Sequence, residues 1–266
     1  MVSWVLGSLF AHDGFMFRLL DYCKENSVPC HIEAVYGNMD CAWVGEEGPY
    51  ADYNKDLFEE IISKYNEFGI GCWLNFTEKD CDFKDKRCRG MLDFISKCSL
   101  NKVVVSSKRL ANNIKRKYPG VEIISSMTNT LNEVGGIGEM RFEMKNSNIC
   151  EKSIVLVNER IFSNRSFMLK LFELCSKFKK EGKEKTRNEY KDLVEWVIDK
   201  KRKNPLSTSM LDFLDVEELI KRGVKYLYLG SFGLNEVTFM RDIGDFLYRG
   251  SKYYLNALVI VQGGVI

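Results

Sequence analysis

Short apolar runs alternate with longer amphipathic stretches along almost the whole chain. The short runs are rich in Val, Ile, Tyr and Phe, and the stretches after them carry apolar residues at helical spacing. This alternation predicts strand–helix–strand units with a parallel sheet. Eight strands are predicted, at Trp4–Leu9, His31–Tyr36, Cys72–Phe76, Lys102–Val105, Glu122–Ser126, Met140–Met144, Ile154–Val157 and Tyr226–Leu229.

Amphipathic helices are predicted between and after these strands. Asp52 or Asn54 opens one helix and Gly69 ends it, as glycine commonly does at a helix carboxyl terminus. The other predicted helices are Phe15–Lys24, a stretch containing Met91, Leu92 and Ile95, Lys108–Tyr118, a charged region over Phe167–Lys203, Asp215–Arg222 and Glu236–Tyr248.

Eight parallel strands, each with a crossover connection, predict an α/β fold: a single (β/α)8 TIM-type barrel domain over residues 1–266. Closure into a barrel removes both edges that an open sheet would expose. Barrels of this type commonly have about 250 residues in one domain, and this chain has 266. An open, doubly wound parallel sheet is the alternative architecture.

Composition indicates the setting in which the protein works. The chain has 39 basic and 37 acidic residues and a net charge of +2, so its overall charge does not predict binding to nucleic acid or to a membrane surface. Its nine cysteines are scattered without a disulfide framework, which favours free thiols in a reducing compartment. Since no signal-peptide pattern and no apolar run of about 18 residues is present, we expect a cytoplasmic protein with no membrane association.

Segments spread over most of the chain match one known barrel family in their order and spacing. They are Val35-Tyr36-Gly37-Asn38, Trp73-Leu74-Asn75, Val103-Val104-Val105-Ser106-Ser107 with Arg109-Leu110, Pro119-Gly120-Val121-Glu122-Ile123-Ile124-Ser125-Ser126, Leu156-Val157-Asn158-Glu159, and Asp215-Val216-Glu217-Glu218-Leu219 leading into Gly223-Val224-Lys225-Tyr226-Leu227. In this order they resemble the barrel of the collagenase-like peptidases and their relatives.

The resemblance implies a barrel that acts on peptides or in RNA hydroxylation, since the family includes peptidases, tRNA- and rRNA-hydroxylation factors and iron–sulfur proteins. Many members place cysteines just after the equivalent of Asn158-Glu159. The corresponding stretch here, Arg160 to Arg165, has no cysteine. We therefore expect no iron–sulfur cluster and predict no cofactor, with any other metal left open.

Functional side chains of such barrels lie at the carboxyl ends of the strands and on the loops that follow. Hydroxyl and amide groups dominate there and suit hydrogen bonding to a polar organic substrate. The predicted substrate-binding residues are Tyr36, Asn75, Ser106, Ser107, Ser126, Asn129 and Arg160. The same groups would also serve to cap helices and to satisfy loop backbone.

The candidate catalytic residues are Glu159, Asn158, Glu33 and His12. Glu159 or Glu33 is the predicted general acid or base, and His12, after the first strand, is the predicted histidine of the site. His31 begins the second strand and is therefore expected at the structural end of the barrel. No metal site is predicted, because Cys72, Cys81 and Cys88 lack the paired spacing of structural zinc sites.

Two further features bear on ligands. Gly230, Ser231 and Gly233 join the last strand to its helix, where barrels often bind phosphate on backbone N–H groups; glycines there also simply permit a tight turn. The basic segment Lys200–Lys203 is of the type that contacts the phosphate backbone of nucleic acids. The acidic residues interleaved between 181 and 199 instead favour a solvated outer helix.

Three functions follow as hypotheses. The first is a peptidase-like barrel enzyme, a hydrolase or modification enzyme, acting on a peptide or another small polar substrate without an iron–sulfur cluster. The second is a non-catalytic accessory or binding subunit, whose protein partner would contact the apolar run Leu255–Ile266. The third is an RNA-modification factor using Lys200–Lys203, although the net charge disfavours nucleic acid.

Overall fold

The computed structural model describes residues 2–44, 52–78, 81–126, 138–141, 153–158, 211, 213–231 and 234–248, with isolated positions between 177 and 195. Eight strands lie within these ranges. They are β1 Ser3–Leu9, β2 Ile32–Gly37, β3 Gly71–Phe76, β4 Lys102–Val105, β5 Glu122–Ser125, β6 Gly138–Arg141, β7 Ser153–Leu156 and β8 Tyr226–Leu229.

Six helices are described within the same ranges, and several begin at a side-chain cap. They are α1 Asp13–Glu25, α2 Lys55–Glu67, α3 Lys86–Ile95, α4 Lys108–Lys117, α5 Phe213–Lys221 and α6 Glu236–Leu247. Asn54 accepts a hydrogen bond from the backbone N–H of Leu57, so of the two predicted starts of α2 the structure selects Asn54. Asp85, Ser107 and Asn235 cap α3, α4 and α6 in the same way. Each cap satisfies a backbone donor that the first helical turn leaves without a partner.

All eight strands are parallel and pair in sequence order, and β8 pairs with β1. The strands thus follow one another around a closed barrel. This order supports a TIM-like α/β barrel over the open sheet. The connections after β5 and β6 and most of the region from 159 to 210, including the predicted helix Phe167–Lys203, lie outside the described residues.

Alternation along the strands divides the core into two layers. Inward-facing side chains fill the barrel and include Val5, Ala34, Trp73, Val104 and Ile154. Outward-facing side chains pack between sheet and helices; this larger layer contains residues such as Leu6, Val35, Leu74, Val105 and Leu229. A filled interior is typical of this barrel class, so the part of the molecule available for ligands is an end of the barrel.

An ion pair joins the amino ends of β4 and β5, and its lysine also lies over an aromatic ring of β3. Lys102 pairs with Trp73 in β3 and with Glu122 in β5, and its Nζ lies 3.1 Å from Glu122 Oε2. The same ammonium lies 5.4 Å from the Trp73 ring centroid. In such barrels the amino ends of the strands usually contribute to stability, and the carboxyl ends carry the functional groups.

The prediction for the sixth strand was wrong in position. Met140–Met144 was expected, but β6 covers Gly138–Arg141, where Gly138 pairs with Ile124 and Glu139 with Ser125. From sequence alone, a glycine indicates a turn or the end of a strand more than a position within it. Here the ladder formed with the neighbouring strand determines the position of β6.

Candidate functional site

The barrel mouth is the end of the barrel formed by the carboxyl ends of the strands and the residues that directly follow them. Because the strands are parallel and adjacent in order, these residues share one rim. Many polar side chains at the rim are nevertheless buried, each less than a tenth exposed. They are Asn38, Asn75, Thr77, Glu78, Ser106, Ser107, Ser125, Ser126, Asn158 and Ser231.

Two tyrosines line the upper part of the barrel interior. The rings of Tyr36 in β2 and Tyr228 in β8 meet edge to face with centroids 5.3 Å apart. Gly7 in β1 permits this arrangement, since a Cβ there would lie 2.8 Å from the Tyr228 hydroxyl oxygen and 3.0 Å from the Ser231 backbone nitrogen. The absence of a side chain at position 7 therefore leaves room for the Tyr228 hydroxyl beneath the mouth.

Asn38 and Asn75 connect the rim between β2 and β3. The Asn38 Nδ2 donates to the Asn75 carbonyl oxygen at 2.8 Å, and the Asn38 Oδ1 accepts from the Met39 N–H. Asn75 is one of the predicted substrate-binding residues and lies one residue before the end of β3, 1% exposed. The amide of Asn38 therefore holds the chain that carries Asn75.

The predicted serines occupy the neighbouring part of the rim. Ser106 directly follows β4, and Ser126 directly follows β5; the Ser126 N–H donates to the Val105 carbonyl at 2.9 Å. Ser107 accepts from the Leu110 N–H at 3.3 Å, which makes it the cap of α4. Ser107 therefore has an observed structural task, and substrate contact by Ser106 and Ser126 stays a prediction.

Asn158 ties the end of β7 to the loop after β8 and to α6. Its Nδ2 donates to the Gly230 carbonyl at 2.8 Å and to Asp242 Oδ2 at 2.9 Å. Its Oδ1 accepts from the Gly230 N–H at 2.7 Å. Both amide donors are used in these contacts, so the geometry gives Asn158 a positioning role at the mouth, and its predicted catalytic role stays a prediction.

The predicted phosphate site shares these groups. The Gly230 N–H already donates to Asn158, and the Ser231 hydroxyl donates to the Gly7 carbonyl. Asn235, rather than a ligand, accepts from the Thr238 N–H at the start of α6. Phosphate binding here stays a prediction, and Gly233 lies outside the described residues.

His12 and Asp13 follow β1 and begin α1, but they face different neighbours. The His12 ring stacks on Phe239 of α6 at 5.2 Å; burial lowers its pKa, against the opposing charge of Glu236. Asp13 Oδ1 accepts from the Tyr65 hydroxyl at 2.8 Å and from the Phe10 N–H at 3.1 Å. Burial raises the pKa of the Asp13 carboxyl to about 6, although both hydrogen bonds oppose the shift.

The placement of Glu33 at the carboxyl end of the second strand was wrong. Glu33 is the second residue of β2 and is exposed, so it lies near the amino end of that strand. The strand begins at Ile32 and continues to Gly37, which leaves Tyr36, not Glu33, near the rim.

Other predicted positions fall outside the described residues. They are Glu159, Arg160, Asn129, Gly233, the Lys200–Lys203 segment and the Leu255–Ile266 run. Their roles stay predictions.

Sequence reasoning missed two buried acids. Glu78 follows β3 by two residues and is 5% exposed; its N–H donates to the Trp43 carbonyl and its carbonyl accepts from the Cys81 thiol. The strand-end rule that selected Asn75 would have found it. Asp242 is fully buried in α6, and its link to Asn158 spans 84 residues, so no local pattern indicates it.

The described residues contain no group of three or more His, Cys, Asp or Glu able to hold a metal ion. The sequence from Arg160 to Arg165 contains no cysteine. Within the same described ranges, no helix is long and apolar enough to cross a membrane.

The fold and the rim define a class: a parallel α/β barrel whose described rim residues are buried and mostly uncharged polar groups. No protein-family model matches the chain, and no curated protein matches it. A solved structure of the U32 peptidase Mk0906 is similar, with a TM-score of 0.49 and 15% sequence identity over 86% of this chain and 92% of that one. The fold assignment therefore rests on the strand pairing of this chain itself.

Proposed function

We propose that the chain is a complete (β/α)8 barrel enzyme that binds a peptide or another small polar substrate at its mouth, without an iron–sulfur cluster. The observation that carries this proposal is the convergence of buried amides and hydroxyls from β2, β3, β4 and β5 on one rim. Such groups orient a polar substrate by hydrogen bonds inside a largely apolar enclosure. The sequence resemblance to the collagenase-like peptidases supports a hydrolase or modification enzyme.

The proposal assigns general acid–base chemistry to carboxylates near the rim. Glu159 directly follows the anchored Asn158 in sequence, and Glu78 is the buried carboxylate after β3. Burial is one means by which proteins tune a carboxyl group for proton transfer. Tyr36, Asn75, Ser106 and Ser126 would then hold the substrate.

A peptide-turnover assay tests this. The purified chain is incubated with a mixed peptide library, and products are followed by mass spectrometry. We expect Glu159→Gln or Glu78→Gln to lower turnover by about 100-fold or more. Glu33→Gln is the matched control, because the same change is made at an exposed site near the amino end of β2. An inactive wild-type chain, or an equal loss in the control, would refute the proposal.

A non-catalytic binding subunit is the second candidate, and one observation favours it. The described residues of the predicted catalytic set have other roles or positions. Asn158 is hydrogen-bonded to Gly230 and Asp242, and the His12 ring stacks on Phe239. Glu33 lies near the amino end of β2. This function predicts a second protein that co-purifies in a fixed ratio with a chain lacking turnover. A monomeric chain with its own activity contradicts it.

A further inference from the structure

The part of the chain that forms α3, β4 and α4 is strongly basic. Residues 84–117 include eleven basic and two acidic residues, which gives a net charge of +9, whereas the whole chain has a net charge of +2. Both acids are engaged within the fold. Asp85 caps α3 with its side chain. Asp93 accepts from the Tyr118 hydroxyl and lies 3.8 Å from Lys117 Nζ. Most of the positive charge of this region is therefore not neutralised by its own acids.

Five of these basic residues lie on the mouth side of the barrel. Each helix that follows a strand begins near the carboxyl end of that strand, so α3 and α4 both begin at the mouth. We call the exposed basic residues at these two helix starts the mouth-side cations: Lys84, Lys86, Arg87, Lys108 and Arg109. Within the ranges that the structure describes, none of the five forms an ion pair.

Helix stability does not account for the mouth-side cations. The amino end of a helix is the positive end of its dipole, where acidic residues stabilise it and basic residues do not. The first turns of α3 and α4 contain no acidic residue and begin with Lys86 and Lys108. By contrast, Lys115, Arg116 and Lys117 in the last turn of α4 lie where a helix favours cations. The cations at the far end of α4 thus have a structural role that the mouth-side cations lack.

We infer that the mouth-side cations bind acidic side chains of a peptide whose neighbouring segment enters the mouth. This inference rests on the proposed function and names an acidic peptide as the class of substrate. The described rim residues are mostly uncharged, so the cations beside the rim supply the recognition of charge. A positive potential beside a binding site also raises the local concentration of an anionic ligand and its rate of association.

The spacing of the cations favours a peptide over a nucleic acid. From Leu110 to Ile114, α4 carries no charged residue, so the mouth-side cations are separated from those at the far end of the helix. Packed helices lie about 8–10 Å apart, and about three residues of extended peptide cover that distance. Binding along a phosphate backbone instead uses a continuous positive groove.

The experiment measures the binding of fluorescein-labelled peptide libraries to the full chain by fluorescence anisotropy. The libraries have equal length and differ only at a set of fixed positions, which hold Glu, Gln or Lys, while the other positions are randomised. We expect the Glu library to bind about tenfold more tightly than the Gln library, and the Lys library to bind most weakly. The affinity for the Glu library should fall as added salt screens the exposed charges.

Two double variants with the same change of charge separate the mouth-side cations from the basic region as a whole. Lys86→Glu with Arg109→Glu introduces acids at two helix starts, where they favour the fold, and should weaken binding of the Glu library by about tenfold. Lys97→Glu with Arg116→Glu makes the same change at exposed positions near the far ends of α3 and α4 and should bind like the wild type. Circular dichroism checks that both variants are folded.

The possible outcomes distinguish this inference from the proposed function. Equal affinity for the three libraries would overturn the inference and leave peptide binding at the mouth intact, whereas binding of no library would overturn both. An equal loss of binding in the two double variants would also overturn it. So would tighter binding of a labelled single-stranded RNA that both double variants weaken alike, since the basic region would then be a nucleic-acid surface.

Discussion

Replacing Asp13 with Asn should change the way in which the stability of the protein depends on pH. Asp13 begins α1, and its Oδ1 accepts hydrogen bonds from the Phe10 N–H and the Tyr65 hydroxyl. Tyr65 of α2 is fully buried, as is Cys72 of β3, the other titratable group that interacts with this carboxyl. An asparagine carbonyl can accept the same two bonds, so the substitution removes the charge and keeps the contacts.

The magnitude follows from the pKa of Asp13, which burial raises from 3.8 to about 6. The folded state binds this proton more tightly than the unfolded state, so protonation stabilises the fold. This stabilisation is fully present below pH 3.8 and is lost as the pH rises through 6. It amounts to about 3 kcal/mol in full, of which about 1.4 kcal/mol is gained between pH 7 and pH 5.

Urea unfolding of the wild-type protein and Asp13→Asn at pH 7 and pH 5 measures this. The wild-type free energy of unfolding should rise by about 1.4 kcal/mol more than that of the variant on going from pH 7 to pH 5. Asp21→Asn, on the exposed side of the same helix, is the control and should follow the wild type. Parallel pH responses in the wild type and Asp13→Asn would show that the reasoning about burial is wrong.

Further predictions concern the mouth and a helix cap, and urea midpoints check each of them. Asn158→Ala should lower the free energy of unfolding by about 3 kcal/mol, because the buried Asp242 loses a donor; an effect under 1 kcal/mol would contradict the proposed anchor. Gly7→Ala should cost about 1–3 kcal/mol by overpacking, part of which Tyr228→Phe in the same chain should restore, since the clash is with that hydroxyl; no recovery would count against it. Asn235→Ala should cost about 1 kcal/mol through loss of the α6 cap, and an unchanged midpoint would speak against the cap.

Strands with strong local boundaries could be predicted from the sequence. Lys102–Val105 and Tyr226–Leu229 were placed to the residue, because each is a short β-branched or aromatic run flanked by residues that end strands. The sixth strand has no such run. Its position depends on pairing with Ile124 and Ser125, which lie outside any local window.

Only the site residues that lie at the carboxyl ends of strands could be predicted from the sequence. The rule that functional groups lie at carboxyl ends placed Asn75, Ser106 and Ser126 at the mouth. It misplaced Glu33, which is the second residue of a strand that continues to Gly37. The partnership of Asn158 with Asp242 could not be foreseen, because it joins two segments that meet only in the folded barrel.

The packed barrel interior has a consequence for the route of any ligand. Trp73 and Tyr226 meet at 6.0 Å near the amino ends of their strands, and Tyr36 and Tyr228 meet above them. Since these rings and the aliphatic side chains between them occupy the interior, a molecule bound at the mouth must leave in the direction from which it came. In an enzyme built this way, product has to depart before fresh substrate can bind, and accumulated product should compete directly with it.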